Sequence, residues 1–400
     1  MNCTPRKSLS GKKRIFISEY KKMKSNNNQK STLLGLSILM LMIISSIIAC
    51  SFMGEDSIIE EEVSFTNPYD DAVLAGTFSK PANTNNFPTV ILVSGSGQQD
   101  RDENVYGHKP FKILADYLNE KGIAVLRFDD RGYGESSGDV WDATIDVLAQ
   151  DALAGINYLK SRKDVDPGRI GILGHSLGAM QASMLACRNP DIAFLIMLAG
   201  PGVPWAENHI AANAENLKRR GEPEEVIESG NRLFEEMFTV MQAGGDYMDI
   251  KDKLSDVISN WKQSLTGVAK EQMNEFDASH PRYFKAMAED YASPLYMSLA
   301  NFETAKYLRI VSCPVLSLIG DKDVQVLSSL NNPAIEIALI QAGNENYEVL
   351  ELNDVNHLFQ RCETGLRDEY STLEEPFDEE ILDLIANWIL EQPSVALDER

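Results

Sequence analysis

From residue 62 the chain alternates apolar and polar positions. The stretch EVSFTNPYDDAVLAGTFSKP has the two-residue period of a strand hairpin. The pattern then changes. Short unbroken apolar runs, in PTVILVSGSG, IAVLRFDDRGYGESSG, RIGILGHSLG and DIAFLIMLAGPG, alternate with PFKILADYLNEKG and ATIDVLAQDALAGINYLKSR, whose apolar residues fall at helical spacing. Apolar runs of that length suit strands buried on both faces, which belong to parallel sheets crossed over by helices. After Pro204 the alternation stops. Residues 205–308 read as helix throughout, rich in charge, Met and aromatics, as in EEVIESGNRLFEEMFTVMQAGG. The strand pattern returns in CPVLSLIGDKD and YEVLELNDVNH, and DEEILDLIANWILEQ closes the chain as a helix. The pattern predicts a doubly wound, mostly parallel α/β sheet built from residues 62–204 and 309–392. Residues 205–308 form a helical cap inserted into it.

The first 61 residues follow a different plan. A basic, Asn-rich opening ends at Lys30, an apolar run spans Leu33 to Ala49, and Cys50 follows. This is the layout of an export signal over residues 1–49. Its end, SIIAC, resembles a bacterial lipobox, in which the Cys becomes the lipidated first residue. Cys50 would then carry acyl chains, and residues 50–61 would be an acidic tether. The plainer alternative is an uncleaved membrane anchor, for which 17 apolar residues are at the short limit. The expected location is a bacterial cell envelope, on the periplasmic or outer face, with membrane contact through the lipid alone.

Charge and cysteines narrow the possibilities. From residue 50 on, 28 Lys and Arg stand against 59 Asp and Glu, so nucleic acid is excluded as an expected partner. With Cys3 removed in the signal and Cys50 acylated, Cys187, Cys313 and Cys362 remain, an odd set that makes no disulfide framework. Cys187 and Cys313 lie in apolar runs and read as core. No zinc spacing or phosphate-binding loop is present, so neither metal nor cofactor is expected. Oligomeric state is not legible.

The chemistry concentrates on Gly174-His175-Ser176-Leu177-Gly178, between the apolar run Ile170–Leu173 and the helix-forming run Ala179–Ala186. Glycines and serine are common in ordinary turns. A serine held between glycines where a buried strand opens a helix is also the form of a nucleophile elbow. Such a serine needs an acid and then a histidine, each after a later strand. His357, in LNDVNHLF, is the histidine so placed: His175 is inside the elbow, His108 precedes it, and His209 and His280 lie in the insertion. The acid is Asp321 or Asp323 in LIGDKDVQV, between which spacing does not choose. An oxyanion would be met by the Leu177 N–H at the start of the helix. A second donor would come from the turn Ser94-Gly95-Ser96-Gly97-Gln98. Arg101, Asp102 and His108 follow that turn and read as a salt-bridged loop, and DDRGYGESSG reads as structural.

The segments LVSGSGQQDRDEN, GHKPFKILADYL, GIAVLRFDDRGYGESSG, GHSLGA, CPVLSLIGDKDVQV and NHLFQ together resemble the α/β-hydrolase family of EstD-like carboxylesterases, also described as serine aminopeptidase-like hydrolases. The resemblance runs from about residue 62 to 392 and weakens in the insertion. It implies the α/β-hydrolase fold with a cap. In the family pattern Gly-x-x-Asp-x-x-Val, matched by Gly320, Asp323 and Val326, the acid is Asp323. At the oxyanion turn the chain has Ser94-Gly95 where His-Gly is usual, which leaves Ser96 or Gln98 as the second donor. The resemblance implies a serine hydrolase with the triad Ser176, His357 and Asp323. It would cleave small-molecule esters of short to medium acyl chain through an acyl-enzyme. The same triad would serve an aminopeptidase or an acyl thioesterase. A catalytically inactive, ligand-binding lipoprotein is the rival from another class.

Overall fold

A computed structural model describes residues 58–82, 86–374 and 377–396. Cys50 and the signal lie outside the described residues. The strands are β1 (Ile58–Thr66), β2 (Val73–Pro81), β3 (Phe87–Val93), β4 (Ala124–Phe128), β5 (Val165–His175), β6 (Leu195–Leu198), β7 (Val315–Gly320) and β8 (Tyr347–Leu352). They form one sheet in the order β1-β2-β4-β3-β5-β6-β7-β8. The β1–β2 and β2–β4 pairings are antiparallel, and every pairing from β4 to β8 is parallel. This is the mostly parallel sheet expected from the apolar runs, in the α/β-hydrolase arrangement that the resemblance implies.

Helices α1 (Pro110–Glu120), α2 (Ile145–Ser161) and α3 (Leu177–Arg188) cover the sheet within the first half of the chain. Because successive strand residues point to opposite faces, β3 splits between two cores. Ile91 and Val93 pack with α2 and α3, while Val90 and Leu92 pack with α1 and with the closing helix Glu379–Glu391. All seven residues of β3 are buried, which is why it reads as an unbroken apolar run rather than an alternating one.

Residues 205–308 fold as seven helices, from Trp205–Arg219 to Thr304–Leu308. The first of them is α4 (Trp205–Arg219). They carry a core of their own, built on Leu233, Met237, Phe238, Ile250, Leu254 and Trp261. The two ends of this excursion are clasped: Trp205 N–H donates to the Phe302 carbonyl at 3.0 Å, and Pro204 bridges Glu303. The insertion thus leaves and rejoins the α/β core at one point, so it adds a lid without disturbing the β6–β7 pairing.

The stretch 50–61, read as a solvated tether, is corrected in its last four residues. β1 begins at Ile58, because the acids there have partners: Glu61 pairs with Lys80 and Arg162, and Glu60 with Arg127. The loop DDRGYGESSG is structural, as read. Arg131 makes two hydrogen bonds of 2.7 Å to Asp151 on α2 and one of 2.8 Å to Asp70 in the hairpin loop, and Asn67 completes Asp151 at 2.7 Å. Arg131 and Asp151 are both buried. Removing one partner of a buried ion pair strands the other charge. Asp151→Ala should therefore lower unfolding stability by about 3 kcal/mol in a denaturant titration, whereas Asp146→Ala, on the exposed face of α2, should change it by less than about 0.5 kcal/mol.

Candidate active site

Strand β5 ends at His175, and α3 starts at Leu177, leaving Ser176 alone at the corner. Its backbone sits at φ 53°, ψ −113°, a left-handed conformation that costs a non-glycine residue about 1–3 kcal/mol. The neighbours explain how the corner closes. A Cβ on Gly174 would lie 2.2 Å from the Gly178 backbone, and one on Gly178 would lie 2.1 Å from the Val93 carbonyl oxygen. Only glycine fits at either place. The Ser176 N–H is held by the Leu198 carbonyl of β6 at 2.8 Å.

Asp323 and His357 arrive from the next two strands. A Cβ on Gly320, the last residue of β7, would lie 2.0 Å from the Val355 carbonyl oxygen, so the loop after β7 presses against the loop that carries His357. Asp323 Oδ1 accepts the Gln325 and Val326 N–H groups at 2.7 and 2.9 Å, and Oδ2 is 2.7 Å from His357 Nδ1. Buried Asn356 braces the His357 loop by accepting the Leu358 and Gln360 N–H groups at 2.9 and 3.1 Å. Asp321, the alternative acid, turns away: its N–H goes to the Leu352 carbonyl, and its Oδ1 has no partner among the described residues. Burial takes the His357 pKa below histidine's usual value despite Asp323, with the positive charges of His175 and Arg367 adding to the shift.

Ser176, Leu177, Ser96 and His357 line one cavity of about 770 Å³ between sheet and cap. The Ser176 hydroxyl has no hydrogen-bond partner among the described residues, and it shares the cavity wall with His357. The turn after β3 separates the two candidate oxyanion donors. Gly95 N–H is spent on Glu103 Oε1 at 2.7 Å. Gln98 does not reach the cavity and gives its amide to the Arg131 carbonyl at 3.3 Å. Of the two, Ser96 is the one that lines the cavity. Arg101, Asp102 and His108 are engaged elsewhere, Arg101 with Asp129, Asp102 with Lys109 and Arg127, and His108 with the Tyr370 carbonyl. They form a braced loop, as read.

Other residues of the site carried no sequence signal. From the cap come Trp205 and His209. His209 shares a 2.8 Å hydrogen bond with the Tyr291 hydroxyl, and burial, with Arg367 adding, takes its pKa down to about 4. Tyr296 stacks on Trp141 and completes an aromatic wall. Glu103 and His175 form a second buried couple behind the serine. Among the described residues no group of three His, Cys, Asp or Glu is placed to hold a metal. The thiols of Cys187, Cys313 and Cys362 are free, and burial pushes Cys313 up to about 12.

An eight-stranded sheet with this order, a strained serine after its fifth strand and a buried Asp–His couple after its last two give the α/β-hydrolase fold. The comparisons agree. The profile of the family described as serine aminopeptidase, S33, matches residues 108–272. The chain is 28% identical over 318 residues to esterase EstD of Thermotoga maritima, covering 79% of this chain and 65% of that protein. It is 32% identical over 155 residues to the uncharacterized protein Rv2307c of Mycobacterium tuberculosis, covering 38% and 48%. The chain thus spans less than two thirds of the length of these curated relatives. Among solved structures it resembles the Pyrococcus furiosus esterase Pf2001, with TM-score 0.52, 16% identity, and coverage of 84% of this chain and 92% of that one. It also resembles the α/β hydrolase GrgF from Penicillium sp. sh18, with TM-score 0.50, 16% identity, and coverage of 84% and 99%. Over residues 108–272 the chain is thus similar to the serine aminopeptidase family, and over most of its length to esterase EstD.

The geometry separates the two aspartates. Asp323→Asn should lower kcat by roughly 10⁴-fold, as loss of the orienting carboxylate does in a serine triad, while Asp321→Asn should stay within about threefold of wild type. Turnover of p-nitrophenyl butyrate by the two purified variants checks this, and the reverse order would transfer the role to Asp321.

Proposed function

We propose that this protein is a serine hydrolase that cleaves uncharged, small-molecule carboxylic esters of short to medium acyl chain. The observation that carries this reading is the 2.7 Å Asp323–His357 contact at the wall of the cavity that the strained Ser176 also faces. Ser176 Oγ attacks the acyl carbonyl while His357 Nε2 takes its proton, and the imidazolium then protonates the leaving alcohol. Water, activated by the same nitrogen, releases the acid from acyl-Ser176. Asp323 holds the Nδ1–H tautomer and stabilises the imidazolium. The oxyanion is met by the N–H groups of Leu177 and Ser96, the first at a helix N-terminus whose dipole adds to the attraction.

Charge at the cavity favours esters over the aminopeptidase reading. A substrate ammonium needs a carboxylate to receive it, and among the described lining residues Glu103 is the one acid. Its Oε1 is already engaged by Gly95 and His175, and its Oε2, without a partner among the described residues, is buried away from the cavity's solvent. The acids of the insertion do not line the cavity. Its basic members are Arg220, tied to Asp368, and Arg367, which has no carboxylate partner among the described residues. The aromatic wall of Trp141, Trp205 and Tyr296 suits an apolar acyl or alcohol group. The name of the EstD relative points to esters as well. A thioester would fit the same chemistry, but no residue at the cavity favours it. The presence of all three triad side chains weighs against an idle ligand-binding protein.

The same proposal places the enzyme on a bacterial envelope, held by lipid on Cys50. The basic opening, apolar run and SIIAC sequence support this. No helix among the described residues is long and apolar enough to cross a membrane. Several acyl chains on one Cys hold firmly where a single chain would not.

Ser176→Ala should abolish fluorophosphonate labelling and lower kcat on p-nitrophenyl butyrate by at least about 10³-fold. Unaltered turnover would remove Ser176 from the reaction. Because the neutral ring is the base and the His357 pKa is lowered, kcat/KM in the wild type should rise with pH to a plateau that begins below histidine's ordinary titration range. A limb displaced above that range would contradict it. The enzyme should prefer p-nitrophenyl esters to aminoacyl p-nitroanilides; the opposite preference would favour the peptidase. For the anchor, Cys50→Ala should end palmitate incorporation while esterase turnover is retained, and continued labelling would overturn the lipobox assignment.

A further inference from the structure

Beside Ser176 in the chain lies a second imidazole that is occupied at both nitrogens. His175 Nδ1 is 2.8 Å from Glu103 Oε1, and Nε2 is 2.9 Å from the backbone carbonyl oxygen of His357. A carbonyl only accepts, so Nε2 carries a hydrogen. Glu103 Oε1 also receives the Gly95 N–H at 2.7 Å, which suits an ionised carboxylate and makes Nδ1 a donor too. The ring is then an imidazolium facing a carboxylate. His175 is 6% exposed and Glu103 2%, so water screens the pair little. Gly95 sits at their junction: a Cβ there would lie 3.1 Å from Glu103 Oε1, 3.3 Å from His175 Nδ1 and 3.4 Å from Ser176 Cβ.

We propose that Glu103 and His175 are a buried positioning ion pair that locks the oxyanion turn at Gly95, the elbow at Ser176 and the main chain of His357 into one register. The proposal rests on the hydrolase reading above and assigns the pair no contact with substrate. Glu103 is suited to the task by its own constraint. Its backbone is held at φ 52°, and its N–H closes a turn onto the Asp100 carbonyl at 2.9 Å, which fixes where the carboxylate points. The pair also acts through charge. The ring centroids of His175 and His357 are 4.8 Å apart. The groups facing His357 are Asp323 from the β7 loop, His175 from β5, and Arg367 and Tyr370 from the segment after it; those facing His175 are Glu103, Asp323 and His357. Burial pulls the His175 pKa down, but Glu103 outweighs it and the ring ends above histidine's ordinary value. The resulting cation helps keep His357 neutral and ready as base.

Glu103→Gln keeps the shape and removes the counter-charge, leaving His175 neutral with its Nε2–H still on the His357 carbonyl. In the full-length enzyme kcat on p-nitrophenyl butyrate should fall about ten- to a hundredfold with KM within about twofold, the cost of a small misplacement of reacting groups. The acid limb of kcat/KM should also move to higher pH, because a positive neighbour of His357 has gone; a purely structural pair would leave that limb in place. A second measurement needs no variant. In ¹⁵N-histidine NMR of the wild type through a pH titration, His175 should lose its second ring proton above histidine's ordinary range. A folded Glu103→Gln enzyme with unchanged kcat and acid limb, or a wild-type His175 that titrates within or below histidine's ordinary range, would overturn the pair. Wild-type protein that fluorophosphonate fails to label would overturn the hydrolase reading instead, with the NMR result still deciding the charge on His175.

Discussion

The close approach of three backbones at the end of β5 is the constraint on which the site depends. Gly178 at the start of α3 rests against the Val93 carbonyl at the end of β3, and Gly174 rests against Gly178 itself. With side chains at these positions the helix could not begin so soon after the strand, and Ser176 would relax out of its left-handed conformation. The strain of about 1–3 kcal/mol is a sizeable part of a typical net stability of about 5–15 kcal/mol. It is tolerated because β5 lies in the middle of the sheet, hydrogen-bonded to β3 and β6 and buried on both faces. A central parallel strand is the one place where a bent corner is over-determined on every side. The same close packing puts Ser176 and the first residue of α3, Leu177, together at the cavity wall.

The rest of the site is held by loops pressed onto one another. β7 and β8 deliver Asp323 and His357 to adjacent points because Gly320 allows the two loops to touch. The cap is clasped at Trp205–Phe302, so α4, which supplies Trp205 and His209 to the cavity, is anchored at the root of the insertion rather than at its far end. The part of the lid nearest the chemistry is thereby the part most firmly attached to the core.

How much of this was legible follows from what kind of contact each residue makes. Ser176 and its glycines were readable because the demand is local: strand, corner and helix are consecutive, and sterics leave one solution. His357 was readable because chain order eliminated every other histidine. Asp323 against Asp321 was not readable from spacing, since both follow β7 within three residues. The choice is made by where the chain turns, with Asp323 Oδ1 capping two N–H groups and freeing Oδ2 for the ring. Ser96 and Gln98 differ in a contact invisible in the sequence: the Arg131 carbonyl accepts the Gln98 side-chain amide, while Ser96 lines the cavity. Glu103, Arg367 and the aromatic wall were not legible at all. Their partners lie tens to hundreds of residues away, and a glutamate in an acidic chain carries no periodic or motif signal. The tether was misjudged at Ile58–Glu61 for a related reason: an acidic run reads as solvated until its long-range cations are known.

Two imidazole–carboxylate couples therefore stand at the cavity, one with an aspartate and one with a glutamate, and they differ in their hydrogen bonds. His357 gives Nδ1 to Asp323 and keeps Nε2 uncommitted at the cavity wall, where a proton can come and go. His175 has Nε2 fastened to a carbonyl that cannot give a proton back, so its protonation is fixed by its partner rather than by substrate. The distinction is one of hydrogen-bond inventory, not of residue type or depth, since both rings are buried. A histidine with one free nitrogen at a cavity can serve as a base. A histidine with both nitrogens engaged is a strut, and here that strut ends on the main chain of His357.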